Sequence, residues 1–255
     1  MILRRWRRAV ALIFSLSACI LRYWRIRWAG ALTLEQRALW MQAAARSVAA
    51  SLNIQVHVEG RPPARGLLVA NHLSYFDIVA LSSAVPCAFV ARADLDRWPL
   101  FGGLARRGGT IFLNRSSLAS ANAAAGEMAA RFHRPIPVIL FPEATSTDGT
   151  EMLRFHSRLF HPATESGTPI TAVAIRYVVD DGPDGPHAER EVCFYGDDVL
   201  MSHMWKALGL PRFTAHLRFG EARVYSDARE AADETRGEIA ALRAESAPVL
   251  VESGI

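Results

Sequence analysis

The sequence predicts an α/β fold, a largely parallel sheet flanked by helices, with a membrane-associated helix at its N-terminus. Two observations predict the sheet: short apolar runs recur along the chain, and longer Ala-rich or amphipathic stretches separate several of them. A third predicts the leading helix, an apolar run bracketed by arginines and aromatic rings. The chain has 255 residues, 51% of them hydrophobic, which is enough for one sizeable core, and no Ser/Gly/Pro-rich linker divides it. We therefore expect an anchoring segment over residues 1–32 and one domain over residues 33–255.

The net charge is only +4, yet Arg4, Arg5, Arg7, Arg8, Arg22, Arg25 and Arg27 stand in a first segment without one acid. Between them runs the apolar stretch Ala9 to Leu21, flanked by Trp6, Tyr23, Trp24 and Trp28. Arginines suit any polyanion, but an apolar run has no use on a nucleic acid, so an anionic lipid surface is the expected partner. A helical span takes roughly 20 apolar residues. This run is shorter, which favours an interfacial or re-entrant helix. Leu16-Ser17-Ala18-Cys19 also looks like a lipoprotein processing site. However, Ile20 to Trp28 is too basic and aromatic to translocate readily, so the segment is expected to be retained. Cys19, Cys87 and Cys193 form no C-x-x-C, which points away from a disulfide framework or zinc knuckle and toward a reducing, cytoplasmic side.

Thr33 and Gln36 have the spacing of a capping box and open a helix to about Leu52; Ile54, Val56 and Val58 then alternate as a strand does. Further strands are expected at Leu67 to Ala70, Ala88 to Ala91, Thr110 to Leu113, Val138 to Phe141, Ile170 to Tyr177, Val192 to Tyr195 and Ala215 to Phe219. Helices are expected at Ser117 to Phe132, Ser157 to Ser166, Val199 to Leu208 and Asp227 to Ala244, and an exposed loop at Asp180 to Arg190.

Three segments carry chemistry-bearing residues where a strand ends. Asn71 to Asp77 follows the apolar run at 67–70. Residues five apart on a helix point ~140° away from each other, so His72 must precede the helix for Asp77 to reach its ring. If it does, Asp77 fixes the tautomer and stabilises the imidazolium formed when the other nitrogen takes a proton. The competing reading is structural: Ser74 and Asp77 also fit a helix cap. The segment Phe141 to Gly149 presents Glu143, Thr145, Ser146 and Thr147 beside a turn. Its hydroxyls can hold a polar headgroup, or satisfy their own backbone, and Glu143 can bind a hydroxyl or orient another side chain. Arg115, just past the strand at 110–113, can grip a phosphate or carboxylate, or do nothing special.

Together these segments resemble the glycerolipid acyltransferase family, whose best-known members acylate 1-acyl-glycerol 3-phosphate. The likeness runs from about Val56 to Phe219, with its blocks in the family's order. Asn71 to Asp77 matches the H-x4-D block, and Trp98 to Gly102 with Gly109 to Arg115 looks like the second. Phe141-Pro142-Glu143 with Thr145 matches F-P-E-G-T, and Thr168 to Ala174 resembles the fourth. The resemblance implies His72 as general base paired with Asp77, and acceptor binding by Arg115, Glu143, Thr145 and Ser146. It also implies an acyl-ACP or acyl-CoA donor as substrate, no cofactor, and a lysolipid acceptor at the cytoplasmic face of the inner membrane.

Three departures bear on this. Ala144 stands where the family usually has glycine, Ala172 where the fourth block usually has a second proline, and Ser146 where many phosphatidate-forming members carry arginine. A branch that acylates lyso-ornithine lipid has hydroxyl residues here, and Phe155 to Phe160 and Tyr195 to Asp197 also look similar to that branch. Lyso-ornithine lipid is therefore the favoured acceptor, with 1-acyl-glycerol 3-phosphate close behind. The competing classes are an inactive membrane-binding protein of the same fold and a hydrolase, for which no G-x-S-x-G elbow exists. No metal site is expected, because no H-E-x-x-H occurs and the histidines are scattered.

Overall fold

A computed structural model describes residues 1–98, 100–114, 117–179 and 191–245. The expected loop at Asp180 to Arg190, and Arg115, lie outside the described residues. The capping box forms as its spacing requires. Thr33 Oγ1 accepts the Gln36 N–H, the Gln36 side chain accepts the Thr33 N–H, and α2 (Leu34–Leu52) follows. Asn53 then turns the chain in the left-handed region, where its short polar side chain is tolerated, and β1 (Ile54–Glu59) begins.

Among the described residues the remaining strands are β2 (Leu67–Ala70), β3 (Ala88–Arg92), β4 (Ile111–Leu113), β5 (Val138–Leu140), β6 (Ile170–Val179) and β7 (Phe213–Arg223). They form one sheet in the order β1-β7-β6-β2-β5-β3-β4, parallel at every pairing except β6 with β7. Helices between strands cover both faces, as parallel connections demand. Leu68, Ala70, Ile139, Val173, Ile175 and Tyr177 pack toward α2, α3 (Phe76–Ala84) and α7 (Leu200–Ala207). Leu67, Val69, Val138, Leu140 and Ala174 pack toward α5 (Leu118–Phe132), α6 (His161–Glu165) and α8 (Ala228–Glu245). Every residue of β2 is therefore buried, which explains why its sequence shows a continuous apolar run instead of alternation.

Two expectations need correction. Residues 192–195 are not a strand. Val192 and Cys193 are fully buried, but Val192 is helical, residues 193–195 run irregularly, and the Phe194 N–H donates to the Leu73 carbonyl. Its apolar character reports burial, which a plug against another loop needs as much as a ladder does. Conversely, α4 (Phe101–Gly108) is a helix that no periodicity announced. Gly102 is needed there because a Cβ would stand 2.2 Å from the Asp96 carbonyl oxygen.

The leading segment is one continuous helix, α1 (Ile2–Trp28), long and apolar enough to cross a membrane by length and composition. It lies along the domain, packed on α2. Trp40 Nε1 donates to the Cys19 carbonyl, Ser15 and Ser51 hydroxyls meet at 2.6 Å, and Arg4 and Arg8 donate to carbonyls of Gly209 and Leu210. The opposite side carries Leu3, Trp6, Val10, Phe14, Leu21, Trp24 and Trp28, all exposed, at a spacing that keeps them on one face.

Candidate active site

The parallel register decides what meets at the site. β2 and β5 are neighbours running the same way, so the loops that leave their carboxyl ends, residues 71–75 and 141–149, emerge side by side. On the other flank of β2, β6 continues to Val179 and extends past the end of β2, where Ala70 pairs with Val173. Asn71 prolongs that ladder with its side chain: Nδ2 donates to the Ile175 carbonyl at 3.1 Å and Oδ1 accepts the Ile175 N–H at 2.8 Å. The chain then leaves the sheet, and His72 lies in the turn before α3.

Asp77, in the first turn of α3, has no exposed surface. Its Oδ2 stands 2.7 Å from His72 Nδ1 and also accepts the N–H groups of Leu73 at 2.7 Å and Ser74 at 3.0 Å. Its Oδ1 accepts the Tyr177 hydroxyl at 2.6 Å. The two readings left open by spacing thus describe one carboxylate, which holds the preceding backbone and the imidazole together. Ser74 does not cap α3, and its buried hydroxyl has no hydrogen-bond partner among the described residues. A buried carboxylate is costly to leave unpaired, and four donors converge here to hold it. Burial first, and the adjacent Asp77 charge second, push the Tyr177 phenol well above its ordinary pKa, so it stays a donor.

An ionised carboxylate only accepts, so Nδ1 of His72 carries the proton and Nε2 is the free base. Among the described residues Nε2 has no hydrogen-bond partner. The ring stacks on Phe141 at 4.2 Å between centroids, which fixes its plane, while 22% of the side chain stays exposed. The backbone is tied at both sides of the residue. Glu143 Oε1 accepts the His72 N–H at 2.9 Å, and Thr147 donates its N–H to the His72 carbonyl at 3.0 Å. The second Glu143 oxygen accepts the Leu153 N–H at 2.9 Å. Burial raises the Glu143 pKa, and the two backbone donors work against that rise. Of the two roles its position allowed, orienting a neighbour is the one this geometry displays.

Other candidates are placed differently. Ser146 donates its hydroxyl to the Phe194 carbonyl, joining the 141–149 loop to the plug, and Thr145 is exposed in the same loop. Ala144 adopts φ 69°, the left-handed region where glycine is at ease and a Cβ costs about 1–2 kcal/mol, so the family's usual glycine answers a real backbone demand. Sequence reasoning missed Tyr177, whose place on a buried strand reads as core. It also missed the Tyr75 hydroxyl, 2.8 Å from His203 Nδ1 behind the His72 loop.

Comparison with known proteins gives this geometry its context. A family model described as Acyltransferase matches residues 53–176, a span that holds His72, Asp77 and Glu143. The lyso-ornithine lipid O-acyltransferase of Pseudomonas aeruginosa is 35% identical over 214 residues, 83% of this chain and 80% of that protein. The chain belongs to the acyltransferase family. The 1-acyl-sn-glycerol-3-phosphate acyltransferase of Neisseria meningitidis is 32% identical over 178 residues, covering 68% of each chain. A crystal structure of the 1-acyl-sn-glycerophosphate acyltransferase of Thermotoga maritima covers 97% of this acyltransferase and 96% of its own chain, with a TM-score of 0.66 at 18% identity, and so shares its fold. The match to the enzyme from Pseudomonas aeruginosa makes this acyltransferase an O-acyltransferase.

Tyr177→Phe removes one donor from a buried charge and leaves its shape intact. It should lower unfolding free energy in urea by about 2 kcal/mol, within the range for an unsatisfied buried group. A change below roughly 0.5 kcal/mol would show that Asp77 does not depend on this bond.

Proposed function

We propose that this enzyme moves a fatty acyl group from an acyl thioester, acyl-ACP or acyl-CoA, to the free hydroxyl of a lysolipid in membrane lipid synthesis. The observation that carries this reading is the His72 imidazole, held by Asp77 through Nδ1 with Nε2 left open. Nε2 takes the acceptor's hydroxyl proton as that oxygen attacks the thioester carbonyl. The new C–O bond forms, the C–S bond breaks, and the proton passes to the departing sulfur. The imidazolium formed between these steps sits 2.7 Å from a carboxylate that Tyr177 and two backbone amides keep in place. A thiol of pKa ~8.5 leaves easily, so the remaining demand is positioning. Glu143 acts in this reading by fixing the backbone of His72. The inactive-scaffold alternative is not favoured, since His72 and Asp77 are both present and paired.

The acceptor we favour is lyso-ornithine lipid. Residues 141–149 carry no basic side chain, and at Ser146 a neutral hydroxyl engages Phe194, where a phosphate-binding arginine would suit a phosphomonoester. The relative from Pseudomonas aeruginosa carries that acceptor in its name. Arg115 and Thr145 complete the acceptor-binding set in this proposal.

We place the enzyme on the cytoplasmic face of the inner membrane, where acyl carrier protein is an available partner. The exposed face of α1 supports a helix lying in the surface: its inner side is committed to α2 and its outer side is apolar from Leu3 to Trp28. Arg7, Arg22 and Arg25 are exposed on the same helix and available to anionic headgroups.

His72→Ala should reduce transfer of a labelled acyl chain by at least roughly a hundredfold while the melting transition persists. Retained transfer would sink the mechanism. In a panel of acceptors, lyso-ornithine lipid should be used in preference to 1-acyl-glycerol 3-phosphate, and the reverse order refutes the reading of Ser146. Val10→Glu with Phe14→Glu, both on the exposed face, should abolish co-sedimentation with anionic vesicles. Unchanged pelleting would remove α1 as the anchor.

A further inference from the structure

Histidines far apart in sequence come together where the first strand meets the last. β1 and β7 pair in parallel with His57 directly opposite His216, and paired strands about 4.8 Å apart put such residues side by side on one face. Their rings stand 5.4 Å apart between centroids. Glu59, two residues beyond His57 and therefore on the same face, brings Oε1 to 3.6 Å from His57 Nε2. One donor atom from each of the three lies within 4.8 Å of the others.

We propose that His57, Glu59 and His216 form a binding site for a borderline divalent transition ion of the Zn²⁺ class, separate from acyl transfer. Two imidazoles and a carboxylate are the donors such ions select. Bonds of ~2.1 Å in a tetrahedral arrangement need donor atoms ~3.4 Å apart, so from a spread of 4.8 Å the site must draw in by at most ~1.4 Å. Side-chain rotation supplies this: His57 is 58% exposed and Glu59 37%. Glu59 is already oriented, since its other oxygen, Oε2, is held by Arg218 Nε at 2.8 Å, and Arg218 also pairs with Glu245. That leaves Oε1 for the ion, and water fills the open positions. Arg176 stands opposite His216 on β6. Its positive charge opposes any divalent cation alike, so the donor set makes the choice: two imidazole nitrogens and one carboxylate oxygen are too few hard donors for Ca²⁺ or Mg²⁺ and fit a nitrogen-coordinated ion.

The consequence is structural. Among the described residues β1 is an end strand, bonded to the sheet through β7 alone, and it follows α2, which carries α1. An ion joining His57 to His216 staples that edge through side chains, where backbone pairing exists on one side only.

Calorimetric titration with zinc chloride tests the assignment on the full chain, with His57→Ala, His216→Ala and His72→Ala in parallel. Wild type and His72→Ala should each take up about one equivalent at the same affinity, and the other two should bind roughly tenfold more weakly or worse. Zinc should raise the melting midpoint of wild type and not of His57→Ala, whose zinc-free midpoint reports whether it folds. No binding by wild type, binding by His57→Ala and His216→Ala as tight as that of wild type, or loss confined to His72→Ala overturns the proposal. The acyl-transfer assay reads the proposed function separately.

Discussion

The buried carboxylate of Asp77 is the constraint on which the site depends. An anion with no exposed surface survives only when donors replace the water it has lost, and here the donors come from two parts of the chain, residues 72–74 and Tyr177. Each donor is fixed in turn. Tyr177 stands on a strand that outruns its neighbour, the amides of Leu73 and Ser74 belong to the turn after β2, and the imidazole of that same turn stacks on Phe141. Satisfying the charge and aiming the base are one arrangement, so a change that loosens either loosens both.

The loop after β5 performs a second fixing task with a second buried carboxylate. Asp77 holds the imidazole of His72, while Glu143 holds its main chain and ties it to Leu153. The plug at residues 192–195 closes the other side by bonding Leu73 and receiving Ser146. Buried acids that bond backbone amides are a rigid way to hold a loop, because each oxygen's partner is itself set by the neighbouring chain. The turn that carries His72 thus has little freedom left apart from the accessible part of the imidazole.

Outside the site, α1 shows how a helix can be apolar on two sides for two reasons. One side packs against α2 and the loop at Gly209, and the other is the exposed face from Leu3 to Trp28. A helix crossing a bilayer would have to leave the domain, whereas here contacts to the domain run from Arg4 to Tyr23. Its length, near 40 Å at ~1.5 Å per residue, therefore extends along the protein surface.

Much of this molecule is local and was legible in the sequence. Strands such as Leu67–Ala70 announce themselves because burial on both faces demands an apolar run, and the Thr33 cap and the cluster at 71–77 lie within one turn of chain. Residues 192–195 misled because apolar composition reports burial and not hydrogen bonding, and α4 stayed hidden because eight residues with two inner glycines carry a weak helical signal. What only tertiary structure decided is register and direction across the sheet. Sequence alone put His72 and Asp77 five residues apart, within reach of each other if His72 precedes the helix. It took β6 extending past β2 to bring Tyr177 to that carboxylate, and β1 pairing with β7 to set His57 beside His216. Such contacts depend on which strands neighbour which, and no spacing along one chain encodes that before the sheet has formed.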